Sequence, residues 1–263
     1  MTNNTLDAFL AGKASNTARA YRQALNLWAS AGSPVEKDAF AAWFYSLNHL
    51  SASTRNLYLT AVVGYIKHSE LGPGIYSIRR PSAHDLIRPT KALTKLEVSA
   101  FIDDPRLMYK AGWHVLFFLG LRISELCKLD IINDITHTSE GRMVLCIRAP
   151  KDRRYRELLV PQLVAKTLTA WLQSAGAPRH GRIFPIDKGV MANAFRDRAI
   201  KLGLESIGPH TARATFITQA LEEGWHPVDI MRCTGHKNVE MILRYERRRF
   251  VTKEVSYESK SDV

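Results

Sequence analysis

Residues 208–249, "GPHTARATFITQALEEGWHPVDIMRCTGHKNVEMILRYERRR", carry an unusual order of polar side chains. His210 stands three positions before Arg213, just after a Gly-Pro turn. His236 follows a glycine, and Tyr245 lies nine positions beyond it in a basic run. Upstream, "GLRISELCKLD" sets Arg122 directly after a glycine with Glu125 three residues on, and Lys151 opens the basic stretch "KDRRYR". Two guanidinium groups suit the non-bridging oxygens of one phosphodiester, because each can donate two parallel hydrogen bonds. A deprotonated phenol can attack phosphorus. Imidazole and ammonium groups can move protons and neutralise the charge that develops. As a set, the six side chains Arg122, Lys151, His210, Arg213, His236 and Tyr245 fit metal-free phosphoryl transfer through a covalent phosphotyrosine.

Taken singly, each has a plain structural alternative. His210 and Arg213 share a face if a helix begins near Pro209, and a capping histidine with a surface arginine would explain them. On one continuous helix, nine residues at about 100° each would turn His236 and Tyr245 to opposite faces. They converge only if the chain bends, and Gly235 with Asn238 supplies a break. Arg122 amid Leu121, Leu126 and Leu129 needs partners, and an ion pair with Glu125 would serve. Lys151 could be a solvated hairpin tip. Cys233 and His236 have a C-x2-H spacing with His226 nearby, yet no second ligand pair follows at finger spacing. No Gly-rich phosphate loop, GxSxG elbow or carboxylate cluster for paired metals occurs, so the reading includes no metal and no cofactor.

The elements that must position these groups are mostly helical. A short helix is expected around Thr5–Leu10. "SNTARAYRQALNLWASAG" begins at a Ser/Asn cap and repeats apolar residues at Ala18, Tyr21, Leu25 and Trp28. "EKDAFAAWFYSLNHL" and "SASTRNLYLTAVVGYIKHSELG" give two more helices, the latter capped by Ser51 or Ser53. Residues 72–92 lose all periodicity and hold three prolines, which reads as a linker. Beyond it, "TKLEVSAFIDD" is a capped helix and "PRLMYKAGWHVLFFLGL" a buried one that "RISELCKLD" continues. "RMVLCIRAP" and "RELLVP" read as two strands joined by "KDRRY". Helices follow at "QLVAKTLTAWLQSAG", "KGVMANAFRDRAIKLG", Thr211–Glu223, Val228–Cys233 and Val239–Arg247. The fold class is therefore mainly α with a small antiparallel β-sheet.

Bulk properties agree with a polyanion partner. The 263 residues allow one large domain or two smaller ones. Lys and Arg number 37 against 25 Asp and Glu, a net charge of +12, and the pI is near 9.8. Residues 1–90 hold 9 basic and 5 acidic side chains and residues 91–263 hold 28 and 20, so both halves are positive, at +4 and +8. Three cysteines without a CxxC pair suggest reduced thiols in a cytoplasmic protein. No signal peptide is visible, and the longest apolar run, "WHVLFFLGL", is too short to cross a bilayer, so a membrane partner is not expected.

"GLRISELCKLD", "IRAPKDRRYRELLVP", "PHTARATFIT" and "TGHKNVEMILRYERR" occur in this order, and together they resemble the tyrosine recombinases, the family of phage integrases and Xer-like dimer resolvases. "SNTARAYRQALNLW" is similar to the family's SAM-like core-binding domain, so the resemblance covers nearly the whole chain. It implies a helical DNA-binding domain at 1–75, a linker at 76–92 and a tyrosine recombinase catalytic domain with a C-terminal tail at 93–263. It implies that Tyr245 is the nucleophile, forming a 3′-phosphotyrosyl bond, and that Arg122 and Arg213 clamp the scissile phosphate. Lys151 would protonate the leaving 5′ oxygen, His210 would act as general acid/base, His236 would hydrogen-bond a phosphoryl oxygen, and Glu125 would position Arg122. The implied partner is double-stranded DNA held in a C-shaped clamp, with four protomers on two sites and the tail docked on a neighbour. Accessory DNA-bending proteins are a further class of partner that the resemblance allows.

Two departures stand out. Ala214 follows Arg213 where the family has a histidine, and the hairpin after Lys151 is longer and richer in arginine than the usual "GKGxKxR". Lys128 and Lys166 are therefore rivals to Lys151, and Tyr257 is a rival to Tyr245. The core-binding pattern begins within about fifteen residues of the start, which favours a plasmid resolvase or simple integrase. Arg19, Arg22, Arg196 and Arg198 are candidates for reading bases. Two other functions remain open, a type IB-like topoisomerase and a catalytically silent DNA-binding regulator on the same fold.

Overall fold

The structure, a computed structural model, describes residues 3–71, 78, 80, 90–148 and 155–246. Most of the linker expected at 76–92 lies outside the described residues, as do Lys151, Tyr257 and the tail. The chain divides into two compact units, Met1–Arg88 and Pro89–Val263.

In the first unit, helices α1 (Asn3–Leu10), α2 (Ser15–Ser30) and α3 (Lys37–Ser46), a single turn at Leu47–His49, and α4 (Ala52–His68) surround one apolar core. Trp28 on α2 is fully buried and meets Tyr65 of α4 edge-on at 6.1 Å, while Phe9 of α1 meets Tyr65 at 5.5 Å. Ala18 and Tyr21 pack on the same stripe, as their spacing predicts. Ser51 caps α4 by accepting from the Thr54 amide at 3.2 Å. The Ser/Asn cap expected for α2 is not made. Ser15 is already helical, Ala14 occupies the capping position, and no side chain bonds the first turn.

The second unit runs α5 (Lys95–Ile102), α6 (Leu107–Leu119), α7 (Ile123–Leu126), α8 (Ile131–Asp134), β1 (Ile135–His137), β2 (Met143–Arg148) and β3 (Tyr155–Leu159). Then follow α9 (Gln162–Ser174), α10 (Lys188–Lys201), α11 (Pro209–Glu222), α12 (Pro227–Thr234) and α13 (Glu240–Leu243). Helix α5 opens with a full capping box, in which Thr94 and Glu97 bond each other's backbone amides. Helix α6 is buried along most of its length beyond Lys110 and runs through the core against α5, α9 and α11. Its Trp113 and Phe117 cluster with Phe101 of α5 and Phe195 of α10, the last two 4.5 Å apart. The sheet is antiparallel in the order β1-β2-β3, with Leu145 opposite Leu158 and Ile147 opposite Arg156. Strand β1 is an addition to the two strands expected, and its three residues are too few to show a period.

Helix α6 does not continue into "RISELCKLD". Gly120 adopts a left-handed conformation (φ 62°), Arg122 is extended, and α7 restarts at Ile123. A Cβ at Gly120 would lie 2.5 Å from the Phe216 ring, so close packing of α11 also demands glycine there. The last helix is shorter than expected, four residues followed by a turn at Arg244–Tyr245. The C-terminal half of α11, with α12 and α13, forms its own apolar cluster of Ile217, Leu221, Ile230 and Ile242, and Tyr245 packs against it.

Two of the arginines proposed to read bases have other work. Arg198 donates to the carbonyls of Ala100, Phe101 and Asp103 at 2.6, 3.2 and 2.7 Å, which satisfies the C-terminus of α5. Arg22 is ion-paired with Asp7 at 2.7 Å.

Candidate active site

The break at Gly120 frees Arg122 to cap α7, where Glu125 occupies the third position and accepts from the Arg122 backbone amide at 2.8 Å. The Arg122 side chain donates to the same carboxylate at 3.0 Å. Glu125 is almost wholly buried and has two further basic neighbours. Arg156 of β3 forks it with bonds of 2.9 and 3.3 Å, and Arg213 of α11 approaches within 4.0 Å. One carboxylate thus braces three arginines. Burial alone would raise the Glu125 pKa, but the bonds and charge of Arg156, joined by Arg122, hold it below the ordinary value. Neutralising it would leave a cluster of like charges without compensation.

Arg213 is held on its other edge by backbone. Its Nη1 donates to the Gly120 carbonyl at 2.8 Å and its Nη2 to the Thr234 carbonyl. Its side chain is 5% exposed against 38% for Arg122, so Arg122 is the more open of the pair. Burial, then the charge of Arg122, pulls the Arg213 pKa down to about 9, and the Tyr245 phenol is among the groups that act on it in the opposite sense. Gly235 ends α12 in a left-handed conformation (φ 65°) and folds His236 back beside Arg213, whose Nη2 is 3.3 and 3.4 Å from the two ring nitrogens. Burial, then Arg213, Arg122 and Arg156, lowers the His236 pKa to about 3, so the ring is neutral.

His210 lies in the first turn of α11, exposed at the surface, one turn before Arg213. Loss of water around the ring, followed by Arg213, Arg122 and Lys188, keeps its pKa below the ordinary value. Tyr245 is half-buried in the turn after α13. Asn238 supplies the bend foreseen between His236 and Tyr245, its side chain accepting from the Met241 amide at 3.2 Å. The structure therefore gathers Arg122, Glu125, Arg213 and His236 by direct contact and sets His210 and Tyr245 within electrostatic reach of Arg213. Lys151 lies outside the described residues, while its rivals Lys128 and Lys166 are both exposed.

Arg156 is the residue that sequence reasoning passed over. Besides forking Glu125, its Nε donates to the Cys233 carbonyl at 2.7 Å, which ties the carboxylate to the turn that carries His236. In the sequence it is one of several arginines in a basic hairpin. The only available signal was the strand register, which alternates it with exposed Tyr155. His226 caps α12 by accepting from the Val228 amide at 3.3 Å. Among the described residues, no three His, Cys, Asp or Glu side chains gather as a metal site, and no helix is long and apolar enough to cross a membrane.

One buried carboxylate thus fans out three arginines, one of them against a histidine, on a helical scaffold with a three-stranded sheet. The chain belongs to the phage integrase family, whose model matches residues 91–251, and within it to the tyrosine recombinases. It is 26% identical over 252 residues to the tyrosine recombinase XerA of Pyrococcus furiosus, covering 90% of this chain and 85% of that one. The virulence plasmid integrase pGP8-D of Chlamydia muridarum is 24% identical over 193 residues, 66% of this chain, which spans 57% of that relative's length. A solved lambda integrase dimer bound to a COC' core site matches with a TM-score of 0.76 at 14% identity, over 96% of this chain and 80% of that one. A solved XerH recombinase bound to a palindromic difH substrate gives 0.66 at 17% identity, over 81% and 69%. At these identities the solved structures speak for a shared fold.

Proposed function

We propose that this protein cuts and rejoins DNA strands at specific sites through a covalent 3′-phosphotyrosyl intermediate on Tyr245, in plasmid multimer resolution or in integration and excision. The observation that carries the reading is the convergence of Arg122 and Arg213 on buried Glu125, with His236 against Arg213. Two preset guanidinium groups lower the cost of the extra negative charge on a pentavalent phosphorus. The Tyr245 oxygen bonds to phosphorus as the bond to the 5′ oxygen breaks. His210 takes the phenol proton, and Lys151 gives a proton to the departing 5′ oxygen. The reverse sequence reseals the strand, and the covalent ester conserves the bond energy. The partner is duplex DNA, gripped through its phosphates by basic faces on both units, with four protomers on two sites and the C-terminal tail docked on a neighbour. Accessory DNA-bending proteins and a cytoplasmic setting complete the proposal. The domain roles proposed are DNA binding at 1–75, a linker at 76–92 and catalysis at 93–263.

The test is covalent capture in EDTA on supercoiled DNA bearing the flanking sequence of the protein's own gene, comparing wild type with Tyr245→Phe. The expected result is a protease-sensitive adduct with wild type alone, and deletion or inversion between two site copies. Relaxation of any plasmid without recombination would instead mark a type IB-like topoisomerase. Equal adducts from both proteins would move the nucleophile to Tyr257. Binding without any adduct would mark a silent regulator.

A further inference from the structure

We propose that Thr234 fixes His236 as the tautomer protonated on Nδ1, so that its Nε2 donates to a phosphodiester oxygen only after taking up a proton together with the anion. The proposal rests on the phosphodiester reading of the site and makes Thr234 a positioning residue for it.

The argument is a count of protons. Thr234, the last residue of α12, is fully buried. Its hydroxyl oxygen lies 2.6 Å from the Ile230 carbonyl one turn back and 2.7 Å from His236 Nδ1. A hydroxyl has one proton, and a carbonyl can only accept. If that proton pointed at the imidazole, two oxygens would face each other at 2.6 Å with only lone pairs between them. The proton therefore goes to Ile230, and the hydroxyl accepts from an N–H on Nδ1. A neutral imidazole has a single N–H, so Nε2 is bare. Arg213 Nη2 is nearly equidistant from the two ring nitrogens, 3.3 Å from Nδ1 and 3.4 Å from Nε2, so it does not choose between them, and the bare lone pair on Nε2 would repel an incoming phosphoryl oxygen.

The groups around the ring set when Nε2 can gain a proton. Arg213 on α11, Arg122 at the head of α7 and Arg156 on β3 all oppose a positive imidazole, and Glu125 of α7 favours one. Tyr245, after α13, acts on Arg213 itself. With the site empty this balance and burial keep the ring neutral. A bound oxyanion offsets the arginine charge and offers Nε2 an acceptor, so both terms then favour the imidazolium. Gly235 makes the contact geometrically available, because its left-handed turn returns the ring to the residue two positions before it.

The experiment is long-range 1H–15N spectroscopy of the full-length protein labelled at histidine nitrogens, with His236→Gln to assign the ring. Sulfate is the probe, a tetrahedral oxyanion that does not titrate near neutral pH. Free wild type should show neutral His236 protonated on Nδ1, and saturating sulfate at pH 7 should convert it to the doubly protonated form. Thr234→Val should move the free ring to the Nε2-protonated tautomer and bind sulfate without proton uptake. Thr234→Ser, which keeps the hydroxyl, should retain the wild-type pattern. An Nε2-protonated ring in free wild type, or an unchanged tautomer in Thr234→Val, would overturn the proposal. Sulfate that perturbs the Arg122 and Arg213 side chains yet leaves His236 neutral would overturn the proton uptake. Sulfate that perturbs neither arginine would sink the phosphodiester reading and the uptake with it, and the tautomer would still be decided by the free spectrum.

Discussion

Arg156 shows how a residue can matter without touching a reacting atom. Its guanidinium joins Glu125 to the Cys233 carbonyl, so it couples the brace under Arg122 to the turn under His236. Arg156→Ala should remove that coupling, and shifts of about 1 Å in a reactive constellation cost on the order of 100-fold in rate. Single-turnover formation of the protein–DNA adduct would measure the loss. Arg156→Lys should recover little of it, because an ammonium is a point charge and cannot fork a carboxylate. Rates in Arg156→Lys close to wild type would show that charge alone suffices there.

At the scale of elements, the break between α6 and α7 carries the site. It points the Gly120 carbonyl at Arg213 and lets Arg122 leave the helix. Gly120→Ala would force a Cβ against Phe216 in a left-handed backbone, at a cost of roughly 1–3 kcal/mol in urea unfolding. Its adduct formation should fall further than that stability loss explains, since the backbone shift that relieves the clash displaces the carbonyl to which Arg213 donates. Thr94→Ala offers the contrast. It removes the cap of α5, whose bonds run to Glu97 and not to Gly120 or Arg213, and should cost about 1 kcal/mol while leaving cleavage unchanged well below the unfolding midpoint. Equal effects of the two substitutions on cleavage would mean that the Gly120 break has no special link to the site.

For the whole molecule, the titratable groups with lowered pKa values predict sensitivity to acid. His236 binds its proton only near pH 3 when folded, against an ordinary value of 6.5 once unfolding returns the ring to water. The unfolded state therefore binds more protons between those values, and stability falls as pH drops below about 6.5. His210 adds a loss of the same sign from its lowered pKa. Glu125 contributes stability above its unfolded value of 4.5, and that contribution disappears as pH falls through its lower folded value. Urea unfolding at pH 7 and pH 5 should thus show a drop for wild type and a smaller drop for His236→Gln. An equal drop in both would place the acid sensitivity elsewhere.

The sequence by itself determined the helical class, most caps and stops, and the chemical identities at 122, 210, 213, 236 and 245. Those features are local, since a period of 3.6, a capping threonine or a histidine three residues before an arginine are written within one or two turns. What only the tertiary structure decided is who meets whom across the chain. Arg213 finds its acceptor 93 positions away at Gly120, and Arg156 finds Cys233 across 77. Arg198, one of the candidates for reading bases, closes the end of α5, a contact that an arginine's charge cannot announce because it says nothing about which carbonyls surround it. Gly120 is visible as a glycine in the sequence, but that the position has no room for a Cβ is decided by the Phe216 ring that α11 brings against it. Such pairings depend on how helices pack, and packing belongs to the whole core rather than to any segment.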